Sequence, residues 1–138
     1  MDLTAKTSPY FQAWCDGVPP DIEAAKAALQ TRDIGALGIV AERSCLRMHA
    51  SALAADPGVV YWQGATVDVF QTVRRWRIQE GLGVFFTIDA GPNVKVFCEP
   101  QDADKIAARL KELPGVENVI SCEPGAAASV ISPSDMPA

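Results

Sequence analysis

The chain has 138 residues, 49% hydrophobic and 21% charged, with 12 basic against 17 acidic side chains and a net charge of −5. That length suits one domain with a real core, and the composition is that of an ordinary globular protein. An acidic balance with no basic cluster beyond Arg74-Arg75-Trp76-Arg77 argues against nucleic acid as a partner. No apolar run approaches the roughly 20 residues that span a bilayer, and no basic-then-apolar leader opens the chain, so neither membrane nor secretion is expected.

Taken in order, Pro9-Tyr10-Phe11-Gln12-Ala13-Trp14 reads as a short helical or turn-like opening, with Ser8 placed to cap it. Pro19-Pro20-Asp21 predicts the start of a helix running to about Thr31, with Asp21 as cap and Ile22, Ala25 and Leu29 on one face. After the short Arg32-Asp33 junction, Ile34, Leu37, Ala41, Cys45, Met48 and Ala52 recur at spacings of three and four. They form one apolar stripe of a second helix, antiparallel to the first and stopped by Asp56-Pro57-Gly58. Val59 to Trp62 reads as a short strand or an anchored extended segment. Thr66 opens a third helix to about Glu80, with Val69, Phe70, Val73 and Trp76 apolar and Gly81 as its stop. The arginines at 74, 75 and 77 then fall on a solvated face, phosphate binding being the lesser alternative.

The apolar run Val84-Phe85-Phe86-Thr87-Ile88 has the β-branched and aromatic content of a buried strand, and it ends on one carboxylate, Asp89. Ala90-Gly91-Pro92-Asn93 is turn chemistry, and Val94-Lys95-Val96-Phe97 resumes the alternation of a second strand. Asp102 caps a fourth helix carrying Ala103, Ile106, Ala107, Leu110 and Leu113 as its stripe, ended by Pro114-Gly115. Val116 to Cys122 reads as a third strand. Three helices followed by a β-β-α-β unit give an α+β fold, a mainly antiparallel sheet with helices packed on one face. Residues 1–122 make the domain, and the Pro/Gly/Ala/Ser-rich residues 123–138 read as a mobile tail, with docking of Val130-Ile131 as the alternative.

On physics alone, an aspartate in this position closes its own turn more often than it does chemistry. The glycine beside it would let a ligand or another backbone approach. Cys15, Cys45, Cys98 and Cys122 form no Cys-x-x-Cys pair and there is one histidine, so no zinc or other metal site is expected. The cysteines read as small buried hydrophobes in a reducing cytoplasm, with a proximity of Cys98 and Cys122 left open. His49, beside an apolar helical stripe, reads as a structural residue, and Trp14, Trp62 and Trp76 as core or subunit-contact residues. Lys95 alternates with Val94 and Val96 and is expected in solvent.

Thr7-Ser8-Pro9-Tyr10, Met48-His49-Ala50 and Asp89-Ala90-Gly91-Pro92-Asn93-Val94-Lys95-Val96, in that order, resemble the C-terminal half of the diphosphomevalonate decarboxylases. Those enzymes belong to the small-molecule kinase superfamily of galactokinase, homoserine kinase and mevalonate kinase. The resemblance runs from about residue 1 to about residue 122. It implies the C-terminal domain of that superfamily. It also implies a reaction in which ATP phosphorylates the 3-hydroxyl of mevalonate 5-diphosphate and decarboxylation yields isopentenyl diphosphate. Asp89 is then the catalytic acid, within reach of that hydroxyl, and Ala90 binds substrate through its backbone N–H. Met1 falls where the family has a methionine just after a Ser-Arg-x-Gly stretch of the substrate pocket. The chain would thus begin inside that pocket, without the arginine suited to the substrate carboxylate.

The glycines at 35, 38, 81, 83, 115 and 125 fit no phosphate-binding loop, so ATP and Mg2+ are expected with an N-terminal ATP-binding domain, in cis or in trans. No cofactor is expected on this chain alone, which should not turn over substrate by itself. The rival reading is a standalone, non-catalytic binding or assembly module of the same fold, or half of a split enzyme. A domain whose other half is elsewhere should expose an apolar patch, which makes a homodimer one expected state.

Overall fold

The computed structural model describes residues 2–127 and 130. Among them the chain forms helices α1 (Asp2–Thr7), α2 (Phe11–Thr31), α3 (Ile34–Leu53), α4 (Gly64–Glu80) and α5 (Ala103–Lys111). Between α4 and α5 lies one hairpin, β1 (Val84–Ile88) and β2 (Val94–Cys98), and the 3-10 turn Pro100–Asp102 leads into α5. The two strands pair antiparallel, Val84 opposite Cys98 and Ile88 opposite Val94. The fold is α+β, as the sequence predicts.

The expected third strand does not form. Residues 116–122 join no ladder of the sheet. Val116 and Val119 pack against the core, but Ile120 is 80% exposed. The alternation that suggested a strand therefore anchors an extended segment at two points. Val59 to Trp62 resolves the same way, as an extended link.

Helix α2 departs most from expectation. It starts at Phe11 and passes through Pro19 and Pro20 rather than beginning at them. Neither proline can donate to the carbonyl four residues back, so those of Cys15 and Asp16 lose their helical partners. Both prolines lie on the exposed side, where solvent can serve the freed carbonyls. Asp21 is consequently mid-helix and buried, not a cap. Its Oδ1 accepts from Arg43 Nε at 3.0 Å and Nη2 at 2.6 Å, and its Oδ2 from Arg47 Nη1 at 3.3 Å. The apolar face expected inward points out, with Ile22 48% and Leu29 62% exposed. Asp21 and Ala28, seven residues apart on the other face, meet α3 instead. The charged residue concealed the true phase of the helix.

The turn to α3 is tight. Arg32 takes a left-handed conformation (φ 54°), and Asp33 caps α3 by accepting from Ala36 N–H at 2.8 Å. The apolar stripe anticipated on α3 is only half right. Cys45 and Ala52 are buried, but Gly38, Glu42, His49 and Ser51 are buried with them. Helix α4 follows the sequence closely: Val69, Phe70, Val73 and Trp76 are all buried, and Gly81 ends it in a left-handed conformation. With Val84, Phe86 and Ile88 of β1 and Ile106 and Leu110 of α5, they form the core. Asp102 precedes α5 without a capping side-chain bond, and Ala103 is exposed.

At Gly38, α3 lies directly against the hairpin. A Cβ there would lie 2.0 Å from the Phe85 ring, which is itself stacked on Phe97 and covered by the Arg77 guanidinium. Glycine to alanine inside a helix ordinarily stabilises by up to about 1 kcal/mol. Here overpacking should outweigh that gain, and Gly38→Ala is expected to lose about 1–3 kcal/mol in urea unfolding. An unchanged midpoint would show that Phe85 has room to move.

Candidate active site

Strand β1 has one edge paired with β2; the other faces α3 and would bury unpaired backbone groups. Side chains take their place. Arg77 Nη1 donates to the Val84 carbonyl at 2.8 Å, and Glu42 Oε1 accepts from Phe86 N–H at 3.3 Å. Cys45 Sγ both accepts from Ile88 N–H at 3.2 Å and donates to the Ile88 carbonyl at 3.4 Å, as a neighbouring strand residue would. His49 Nε2 reaches the same carbonyl at 3.1 Å. Glu42 and Arg77 close the arrangement with two bonds of 2.6 and 2.9 Å. One of the three arginines assigned to a solvated face is therefore half-buried and structural; Arg74 and Arg75 are exposed.

This edge delivers the chain to Asp89. The turn that follows is pinned on its far side by Thr66 at the start of α4. The Thr66 hydroxyl accepts from Gln63 N–H at 3.1 Å and donates to the Pro92 carbonyl at 2.7 Å. Within the turn, Gly91 N–H donates to the Asp89 carbonyl at 2.8 Å. The carboxylate itself does not serve the turn amides. Its Oδ2 lies 2.6 Å from Lys95 Nζ, and both side chains are largely in solvent. Asp89 is thus not desolvated by the strand before it, and its cationic neighbour comes from this chain. Lys95 is exposed as expected, but paired.

Ala90 is exposed at the same tip, so the two candidate residues within the described part of the chain lie together. Met1 lies outside the described residues. Thr66 was legible only as a helix opener; its hold on Pro92 needs tertiary structure to be seen. Glu42 and Arg77 carried no signal beyond being charged positions on apolar-faced helices.

Burial pulls the His49 pKa below its usual 6.5, opposed by the bond to the Ile88 carbonyl and by the charge of Asp89. Burial likewise raises the Cys45 thiol. His49 lies under Tyr61 and Trp62, with ring centroids 5.8 and 4.9 Å away, and Trp62 leads on through Phe70 to Phe86. It is structural in the first instance, as the sequence suggests. All four cysteines are free thiols, but only Cys45 is buried; Cys15 and Cys98 are half-buried and Cys122 is exposed.

Among the described residues no three acidic, histidine or cysteine side chains cluster to hold a metal ion. The first turn of α4, Gly64-Ala65-Thr66, spends its hydroxyl on Pro92. These residues do not fit a nucleotide-phosphate cradle. No helix among them is long and apolar enough to cross a membrane.

Helices gathered about an antiparallel hairpin whose tip presents Asp-Ala-Gly-Pro-Asn make an α+β domain that resembles the C-terminal domain of the small-molecule kinase superfamily. The chain belongs to the mevalonate 5-diphosphate decarboxylase C-terminal domain family, whose sequence model matches residues 1–132. It is similar to the phosphomevalonate decarboxylase of Haloferax volcanii, 31% identical over 113 residues, covering 82% of this chain and 35% of that protein. It also matches the diphosphomevalonate decarboxylase of Ganoderma lucidum, 28% identical, over 86% of this chain and 31% of the relative. The crystal structure of the Staphylococcus aureus mevalonate diphosphate decarboxylase superposes with a TM-score of 0.75 at 38% identity, over 82% of this chain and 34% of that one. A structure of MDDEF in complex with MVAPP, AMPPCP and magnesium gives 0.76 at 36% identity, over 80% and 33%. The chain spans about a third of the length of these relatives.

The depressed imidazole pKa has a consequence for stability. Between the folded and unfolded values the unfolded chain binds the extra proton. The contribution of His49 is therefore full above its usual 6.5 and is lost as pH falls from there through the folded value. Urea unfolding between about pH 7 and about pH 5 should show a steeper loss in the wild type than in His49→Gln. Equal slopes would remove His49 from the acid response.

Proposed function

We propose that this chain is the substrate-facing, C-terminal part of an ATP-dependent mevalonate 5-diphosphate decarboxylase, and that Asp89 is its catalytic acid–base group. The observation that carries the reading is the exposed Asp89 carboxylate, held at a doubly anchored turn inside the segment that resembles the family. Gly91 supports it. No atom lies within 4 Å of a Cβ built there, and its φ is not positive, so nothing within the described chain requires glycine at this position. A smooth surface beside the acid suits a ligand that approaches closely.

In this reading an Asp89 oxygen accepts the hydrogen of the substrate's tertiary 3-hydroxyl, orienting that oxygen and taking its proton as it reacts. Ala90 offers its backbone N–H beside it. Lys95, already 2.6 Å from Asp89, keeps positive charge next to the acid. ATP with Mg2+, and the groups that grip the substrate phosphates, belong to an N-terminal ATP-binding domain, joined in cis or assembled in trans. The number of phosphates on the preferred substrate is decided there. A cytoplasmic setting goes with the four free thiols.

The Asp89–Lys95 pair also favours a second reading. An exposed ion pair closing a hairpin is ordinary surface structure, worth about 1 kcal/mol or less. A non-catalytic module would show the same contact.

The two readings separate by carbon dioxide release from mevalonate 5-diphosphate and ATP. The assay uses this chain combined with the ATP-binding portion of a family member. Turnover should appear only in the combination and fall about 10²- to 10⁴-fold with Asp89→Asn. Full turnover by the substituted pair, or by this chain alone, would overturn the assignment.

A further inference from the structure

The carbonyl of Ile88 and the nitrogen of Asp89 belong to one rigid peptide plane. Whatever fixes that oxygen therefore fixes the origin from which the Asp89 side chain departs. The β ladder ends at this point, since Ile88 opposite Val94 is its last pair, and Asp89 lies beyond it. The next fixed point is the Pro92 carbonyl, held by Thr66. Asp89, Ala90 and Gly91 are thus suspended between two anchors, and the one nearer the carboxylate is the Ile88 carbonyl, held by His49 and Cys45.

His49 is the stronger of the two holds. A thiol is a weak donor at 3.4 Å, whereas the imidazole stands at 3.1 Å and is 1% exposed. A carbonyl only accepts, so Nε2 carries the proton in this bond. Filling the space under Tyr61 and Trp62 would not by itself call for a polar ring, because an aliphatic side chain of similar size avoids desolvating two nitrogens. The imidazole contributes a directed hydrogen bond at the one peptide that precedes the acid.

We propose that His49 is a positioning residue for Asp89. Its Nε2–H holds the Ile88–Asp89 peptide and so sets the direction in which the carboxylate meets the substrate hydroxyl. This inference rests on the catalytic reading of Asp89. It assigns His49 no contact with substrate.

The test compares His49→Leu, which keeps the volume, with His49→Gln, whose amide nitrogen can reach the same carbonyl. In the combined enzyme, His49→Leu is expected to lower kcat about 10- to 100-fold, the scale of a misplacement of about 1 Å. KM for mevalonate 5-diphosphate should stay nearly unchanged, and His49→Gln should recover most of the loss. In this chain alone, the backbone amide NMR signals of Asp89 and Ala90 should move in the leucine variant and return in the glutamine variant. Undiminished kcat in folded His49→Leu, or equal losses in both variants, would overturn the proposal. If the wild-type combination is silent, the catalytic reading of Asp89 fails. The amide signals still decide the hold itself, and unmoved Asp89 and Ala90 amides in His49→Leu would overturn it.

Discussion

The hairpin is seated on α3 by its edge rather than by its face, and most of the architecture is a response to that seating. A strand edge pressed against a helix offers N–H and C=O groups to a surface that has no backbone donors or acceptors to spare. Each such group left unpaired would cost about 1–3 kcal/mol. Helix α3 supplies Cys45 from its expected apolar stripe and Glu42 and His49 beside it, and α4 reaches across with Arg77. Gly38 belongs to the same arrangement, because only a residue without a side chain lets the helix come close enough beside Phe85.

The Glu42–Arg77 pair ties three elements together, and its value is better described as geometric than as energetic. Desolvating two charges offsets much of their attraction. What the pair does is fix α3, α4 and β1 in one register, since Glu42 also accepts from Phe86 and Arg77 also donates to Val84. A similar logic holds at the far side of α3, where buried Asp21 is gripped by Arg43 and Arg47. Arg47 passes over Gly17 on its way, close enough that a Cβ there would meet it at 3.0 Å.

Elements whose signal was local proved legible. The periodicity of α4, the Gly81 stop and the alternating strands about an Ala-Gly-Pro-Asn turn all depend on neighbours in sequence. The stretches that misled were governed by distant partners. Pro19-Pro20 usually signals a helix start, but here the helix is already formed and the prolines ride its exposed side. Ile22 and Leu29 marked the wrong face because the contact with α3 is made by a charge and a small residue. At the candidate site, Asp89 and Ala90 were singled out through their motif, and Lys95 was visible as a strand residue but not as the partner of Asp89. His49, Cys45 and Thr66 touch the turn only through backbone oxygens and amides, which leave no side-chain pattern to read.

A two-stranded sheet ordinarily offers two sides from which it can grow, and exposed sides invite unwanted pairing between molecules. The side-chain cover on β1 removes one of them. Glu42, Cys45, His49 and Arg77 occupy hydrogen-bonding positions that a foreign strand would need. Any strand that extends this sheet, from the same polypeptide or another, must therefore add alongside β2. The hairpin is built to be enlarged in one direction only.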